Sequence, residues 1–285
     1  MSIIGKVAGS LLTAVLALAA VVPPITAVQA QEPEFYDVPF APGQWNIGRT
    51  FDESHLRYCV DQRDPDWELA ADIADNIASG LLLTPERYTV ERDMIREDIT
   101  VIYGILLEHC DVYMGFKLIP EGIPEWLTAT RAYYESEYVF ITSDPDLNTL
   151  ADLAPGKPIA ATQATSAHLQ LFTYIQTLTP ENRWPIYPMG TSDLTIESVI
   201  NGTVDVSLVW APSFWAMAKA DPAIAELRVI DPSPLAPIRL GVGGLLLANQ
   251  TFLRTTIDEA LAALTADGTL AGIIEEYDFP ATPPQ

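Results

Sequence analysis

The chain has 285 residues, with 15 basic and 38 acidic side chains and a formal net charge of −23. A field of that sign makes nucleic acid and anionic membrane surfaces poor partners. It suits a cation or a cationic protein, although acidity also serves simply to keep an exported protein soluble.

The first thirty residues carry Lys6, an apolar run over 11–22, a Pro23-Pro24 break, and Val28-Gln29-Ala30 at the positions a signal peptidase reads. This pattern predicts a cleavable secretory signal with cleavage at Ala30-Gln31, and so an exported, periplasmic protein. A membrane anchor is not expected, because the apolar run is short for a span and no Cys follows to accept a lipid. Removing those thirty residues leaves 255, with 14 of the 15 basic groups against all 38 acids, a net of −24. That length suits two lobes of roughly 100 to 150 residues, each able to bury its own core.

After a Pro- and aromatic-bearing lead over 35–48, residues 56–60 read as a strand ending at Asp61. Asp64-Pro65 predicts a helix cap followed by Pro at the first helical position, with Ala70, Ile73, Ala74, Ile77 and Ala78 at helical spacing. A short strand over 88–90 follows, then an apolar helical stripe from Met94 to Leu107. The next strand, 111–114, is expected to stop at Gly115. Strands alternating with helical patterns predict a helix-covered, mainly parallel sheet.

Residues 138–142 are β-branched and aromatic and predict a first crossover between lobes. A second α/β cycle runs through a strand over 157–162, a helix over 169–178, a strand over 185–187, a helix over 193–200 stopped by Asn201-Gly202, and a strand over 204–210. Beyond a Pro-rich exit at 231–237, the apolar strand 238–248 would return the chain to the first lobe, which helices over 252–266 and 270–277 would complete. The boundaries expected are a signal over 1–30, a first lobe over 31–140 and 241–285, and a second lobe over 141–240. Residues 280–285 read as a tail.

Chemistry-bearing signatures are sparse. There is no G-x-S-x-G elbow, H-E-x-x-H, P-loop or dinucleotide fingerprint, and His55, His109 and His168 are scattered. Gly241, Gly243 and Gly244 lie inside an apolar strand, where they suit close packing or a bulge. Asp61, Asp64, Asp66 and Glu68 could offer oxygen ligands to a cation, but they lack a calcium loop's spacing, so capping and dipole roles are expected instead and no metal is assigned. Cys59 and Cys110 each sit near the start of an apolar strand-like run. An oxidising compartment favours a disulfide if those strands are neighbours. Thr165-Ser166 opens a helix and serves either as a cap or as an oxygen-binding turn. Trp210 ends a strand, the position from which open α/β sheets face their ligands.

With these residues in hand, the chain resembles the family 3 extracellular solute-binding proteins over nearly all of its mature length. The pointers are Leu56-Arg57-Tyr58-Cys59-Val60-Asp61, the run from Cys110 to Gly115, the run from Leu127 to Tyr134, the run from Asn201 to Val206, and Val209-Trp210-Ala211-Pro212. The resemblance looks closest to the J-type branch associated with periplasmic quinoprotein alcohol dehydrogenases. It implies an α/β, two-lobed periplasmic binding protein fold of type II, each lobe a helix-covered mixed or parallel sheet, with two crossover strands at the hinge. Relatives that bind amino acids use an Arg before the aromatic turn and an acid after the second-lobe strand. Here Pro124-Glu125-Trp126 and Trp210 stand in those regions, which argues against amino-acid binding.

An aromatic cleft without those charges suits an apolar ligand or a segment of a partner protein. The cleft residues expected are Asp61, Trp67, Met114, Phe116, Arg131, Tyr133, Thr165, Ser166 and Trp210. The function implied is a non-catalytic accessory or maturation factor for a PQQ-dependent alcohol (methanol) dehydrogenase, with no cofactor of its own. The alternative is the receptor of an ABC importer, with a permease as partner and a small solute that is not an amino acid as ligand. A third reading, an enzyme on the same scaffold, would need a cleft acid with a displaced pKa, and Asp61 is the one nominee.

Overall fold

The computed structural model describes residues 52, 54–91, 99–119 and 122–284. The expected signal and its cleavage site, the lead over 35–48, and Met94 and Ile95 lie outside the described residues.

In chain order the strands and helices are β1 (His55–Asp61), α1 (Trp67–Gly80), β2 (Thr84–Val90), α2 (Ile99–Glu108), β3 (Val112–Lys117), β4 (Leu127–Ala129) and β5 (Tyr134–Thr142). Then come β6 (Ile159–Thr162), α3 (Ser166–Thr177), β7 (Ile186–Met189), α4 (Ser192–Ile200), β8 (Val206–Trp210), α5 (Ala211–Ala220), the short α6 (Pro222–Ala225) and β9 (Arg228–Ile230). The chain ends with β10 (Ile238–Leu247), α7 (Thr251–Ala266) and α8 (Thr269–Glu276).

The strands line up as β2-β1-β3-β10-β5-β8-β6-β7, with β4 added to β10 and β9 to β5. The β1–β2, β1–β3, β6–β7 and β6–β8 pairs are parallel, as expected for strands linked by helices. The antiparallel pairs gather on β5 and β10. β5 pairs with β10 through residues 134–138 and with β8 through residues 138–142, so one strand belongs to both halves of the sheet. β10 in turn reaches from β5 to β3 and β4. These are the two crossover strands of a two-lobed type II binding-protein fold. β1–β4 with α1, α2, α7 and α8 lie on one side of the crossover, and β6–β9 with α3–α6 on the other.

The three glycines of β10 work as the sequence suggests. A Cβ at Gly241 would fall 2.8 Å from that of Ala132, and one at Gly244 only 2.6 Å from Val112 Cγ2. At Gly243 it would meet Arg131 O and Thr130 Oγ1 at 3.0 Å, and the register shifts between Gly243 and Leu245. The expected disulfide is also present. Cys59 of β1 and Cys110, just before the neighbouring β3, are bonded with their Cα atoms 5.7 Å apart.

Three local expectations are corrected. Asp64-Pro65 does not open α1: a turn intervenes, Trp67 N donates to Asp64 O at 3.2 Å, and Asp66 holds the N-cap position. The Asp66 side chain caps nothing, because it accepts from Tyr134 Oη at 2.8 Å instead. β3 does not stop at Gly115; that glycine takes φ +87° and the strand runs on to Lys117. Residues 280–284 do not trail free. Glu135 and Thr282 exchange backbone hydrogen bonds of 2.8 and 2.9 Å, Ser136 Oγ donates to Pro280 O at 2.6 Å, and Phe279 is buried.

Gly244→Ala is expected to lower stability by about 1–3 kcal/mol through overpacking against Val112. Gly272→Ala, in an α8 site with open space for a Cβ, should leave stability unchanged or raise it by about 0.5–1 kcal/mol. Urea unfolding of both variants checks the contrast. Alkylation of the native, unreduced protein should label neither Cys59 nor Cys110, and rapid labelling would contradict the bridge.

Candidate functional site

In open α/β sheets ligands sit beyond the carboxyl ends of the parallel strands. Here those ends are Asp61 of β1, Lys117 of β3, Thr162 of β6 and Trp210 of β8. The register of β5 against β8 sets Tyr138 directly opposite Trp210, with ring centroids 5.0 Å apart. From the other side of the crossover, Lys117 Nζ stands 5.4 Å over the Trp210 ring. Lys117 has no carboxylate within ion-pair distance among the described residues, and the aromatic face offers its charge a favourable contact.

The start of α3 adjoins this group. Thr165 caps the helix, its Oγ1 accepting from His168 N at 3.1 Å and donating to Thr162 O at 2.8 Å. The turn is tight enough to hold Ala164 at φ +63°. Burial pushes the Tyr138 phenol up to about 12, and the hydroxyls of Thr165 and Ser166 face it closely enough to offset part of that shift. Ser166 Oγ is sealed from solvent and has no hydrogen bond of acceptable geometry. A helix N-terminus, an unsatisfied hydroxyl, a lysine and two aromatic rings therefore converge where the two halves of the sheet meet.

On the first-lobe side, Asp64 lies against Gly115, its Oδ2 3.2 Å from where a Cβ would sit, and Phe116 and Lys117 share a small recess with it of about 250 Å³. Behind them Asp66 is buried. Desolvation raises its carboxyl above the usual range, against the opposing pull of the Tyr134 hydroxyl and the Lys117 charge. Tyr133 is fully buried, and its Oη accepts from Gly115 N at 2.8 Å. That bond fixes the backbone that aims Phe116 and Lys117.

The nine expected cleft residues thus divide. Thr165, Ser166 and Trp210 are linked through Tyr138, while Phe116 packs against the core around Cys59 and Tyr113 and lines the recess it shares with Lys117. Met114 and Tyr133 are core, and Trp67 is half-buried against the same cluster, with the Arg87 guanidinium 6.0 Å over its ring. Asp61 is buried and held by Arg63 through Nε at 2.9 Å and Nη2 at 2.5 Å, an arrangement suited to a structural ion pair. Arg131 is exposed, and its backbone N–H donates to Asp258 of α7 at 2.7 Å, outside the group.

Sequence reasoning missed Lys117, because the strand was expected to end at Gly115. It also missed Tyr138 as a partner of Trp210, because that pairing is a matter of register. Asp66 was read only as part of an acidic cluster.

The raised Asp66 carboxyl has a definite sign. A carboxyl whose folded pKa lies above its unfolded value near 3.8 binds more protons when folded, so its contribution to stability falls as pH rises from there through the folded value. Asp66→Asn, which can still accept from Tyr134, should remove that fall and keep or raise stability at neutral pH. Thermal unfolding of both proteins across pH 4 to 8 checks this; a steeper loss in the variant would contradict the assignment.

No curated protein matches the chain. Among solved structures it is similar to one described as Tv2483 bound to L-arginine, at 18% identity and TM-score 0.58, covering 81% of this chain and 93% of that one. It is also similar to an arginine 3rd transport system periplasmic binding protein from Legionella pneumophila, at 19% identity and TM-score 0.58, covering 79% and 99%. A histidine kinase sensor domain with similarity to periplasmic binding proteins matches at 15% identity and TM-score 0.58, covering 81% and 98%. At these identities the likeness concerns the fold. None of these comparisons points to a quinoprotein dehydrogenase. The family described as "ABC transporter, phosphonate, periplasmic substrate-binding protein" matches residues 126–270, half of the chain, and the chain belongs to that family of periplasmic substrate-binding proteins.

Proposed function

We propose that the protein is the solute receptor of an ATP-driven importer. It holds a small solute bearing an oxyanion between its lobes, delivers it to a permease and catalyses no reaction. The observation that carries this reading is the meeting of Lys117, from one side of the crossover, with Trp210, Tyr138 and the start of α3 from the other. Free N–H groups and the positive end of the α3 dipole favour an anion, and a lysine supplies a point charge to it. The Ser166 hydroxyl offers one further donor, and the aromatic pair gives an apolar wall for the rest of the solute. The matched family's description names phosphonate, which carries such a group. The solved structure whose description names L-arginine shares the fold at 18% identity, which leaves the ligand open.

This reading replaces the apolar ligand or partner segment expected of an aromatic cleft without charges. It also takes precedence over the accessory role for a quinoprotein dehydrogenase. The Cys59–Cys110 pair, one of the pointers to that branch, serves as a fully buried staple between β1 and the start of β3 and offers no surface to a partner. The family description and the absence of any membrane-length apolar helix among the described residues fit a receptor working in the periplasm.

Isothermal titration of protein unfolded, dialysed and refolded to strip bound solute tests the reading, with methylphosphonate, inorganic phosphate and L-arginine as titrants. An oxyanion is expected to bind, and Lys117→Met to weaken it by about tenfold or more, the scale of a lost charge-assisted contact. Binding of L-arginine with both oxyanions inert would overturn the proposal.

A further inference from the structure

Alternation along β5 turns Tyr138 to one face of the strand and Glu135, Glu137 and Val139 to the other. On that second face lies a recess of about 690 Å³, walled by α5, the hinge strands and the segment that follows α8. It shares no lining residue with the Lys117–Trp210 group. Its volume is that of a small-molecule pocket.

We propose that this recess is a second ligand site, for a small organic cation carrying an aromatic or branched apolar group. Its apolar wall is Phe214, Trp215, Ala218 and Phe279, with Phe279 edge-on to Trp215 at 5.1 Å between ring centroids. Three carboxylates, those of Glu135, Glu137 and Asp278, line it against two cations. Both cations are already engaged. Arg239 Nε lies 3.1 Å from Glu137 Oε2. Lys219 Nζ donates to Tyr277 O at 3.2 Å and sits 3.9 Å over the Trp215 ring.

Glu135 and Asp278 are left without a basic partner among the described residues. Lys219 over Trp215 already sets one cation against this wall, and the Phe214 and Phe279 rings extend the aromatic lining beyond it. Unanswered carboxylates beside aromatic faces select a substituted ammonium over an anion or a neutral molecule, and the acidic field of the whole chain acts in the same direction.

The test is a titration of the full mature protein followed through its indole N–H resonances, with Trp215 assigned by Trp215→Phe. Benzyltrimethylammonium is the probe and phenylacetate its anionic counterpart. The expected result is a saturable shift of the Trp215 resonance with the cation and a response to phenylacetate weaker by about tenfold or more. Glu135→Gln combined with Asp278→Asn should weaken the cation by about three- to tenfold at low salt, with the fold intact because both side chains are solvent-accessible. Ala218→Phe, which fills the recess, should abolish the shift. No saturable change, an equal response to phenylacetate, or an unchanged affinity in the double variant would overturn the proposal.

Discussion

The close approach of β10 to the backbone on either side of it is the constraint from which the rest follows. Without side chains at 241 and 244, β10 lies against Ala132 and Val112 at distances real Cβ atoms essentially never show, and at 243 it approaches Arg131 O to the tight distance of 3.0 Å from a Cβ position. The strand can then bond in both directions. Leu118 N donates to Gly241 O at 2.9 Å, Tyr133 N to Val242 O at 2.8 Å, and Gly244 N to Thr130 Oγ1 at 2.8 Å. One strand thereby fixes the end of β3, the turn before β5 and the first half of β5 in a single register. Since β5 continues into the second half of the sheet, the same register carries through to Tyr138 and Trp210.

That geometry decides the electrostatics of the candidate site. The chain is strongly acidic, yet where its halves meet the group presented is a lysine. The nearby acids are occupied in other ways: Asp61 is bound by Arg63, and Asp66 is buried under the Tyr134 hydroxyl, where desolvation favours its neutral form. A surplus of carboxylates in the composition therefore does not become negative charge at this point. Net charge describes the surface field, and the sign at a site depends on which groups are paired or dehydrated.

The sequence made the architecture legible because its signals are local. Helical spacing in α1 and α7, Asn201-Gly202 closing α4 with Gly202 at φ +72°, and the alternation of strands with helices each reflect a short stretch of chain. The Cys59–Cys110 pair and the β10 glycines were also readable, since both respond to packing that residue type alone announces. The site was less legible. Lys117 was hidden by a glycine that looks like a strand end and is instead a positive-φ residue within β3. The tilted contact of the Tyr138 and Trp210 rings joins residues 72 positions apart, and no periodicity encodes it. Residues 280–285 read as a tail in the sequence, though Thr282 bridges to Glu135, and Phe279 just before them fills the space between Tyr134 and Trp215.

The solved structures that share this fold carry descriptions naming different ligands, L-arginine in one and L-glutamate in another, and one is a sensor domain. The fold therefore does not choose the solute; it chooses where strand ends meet, and a few side chains there do the rest. By resemblance, the relatives that bind amino acids answer an amine with an acid after the second-lobe strand. In this chain Trp210 is expected at that place, and Lys117 lies over its ring. A tryptophan cannot neutralise an ammonium as a carboxylate does, but its ring face attracts the Lys117 charge. Under the proposed oxyanion reading, an aromatic face at that place leaves the lysine charge available to a ligand.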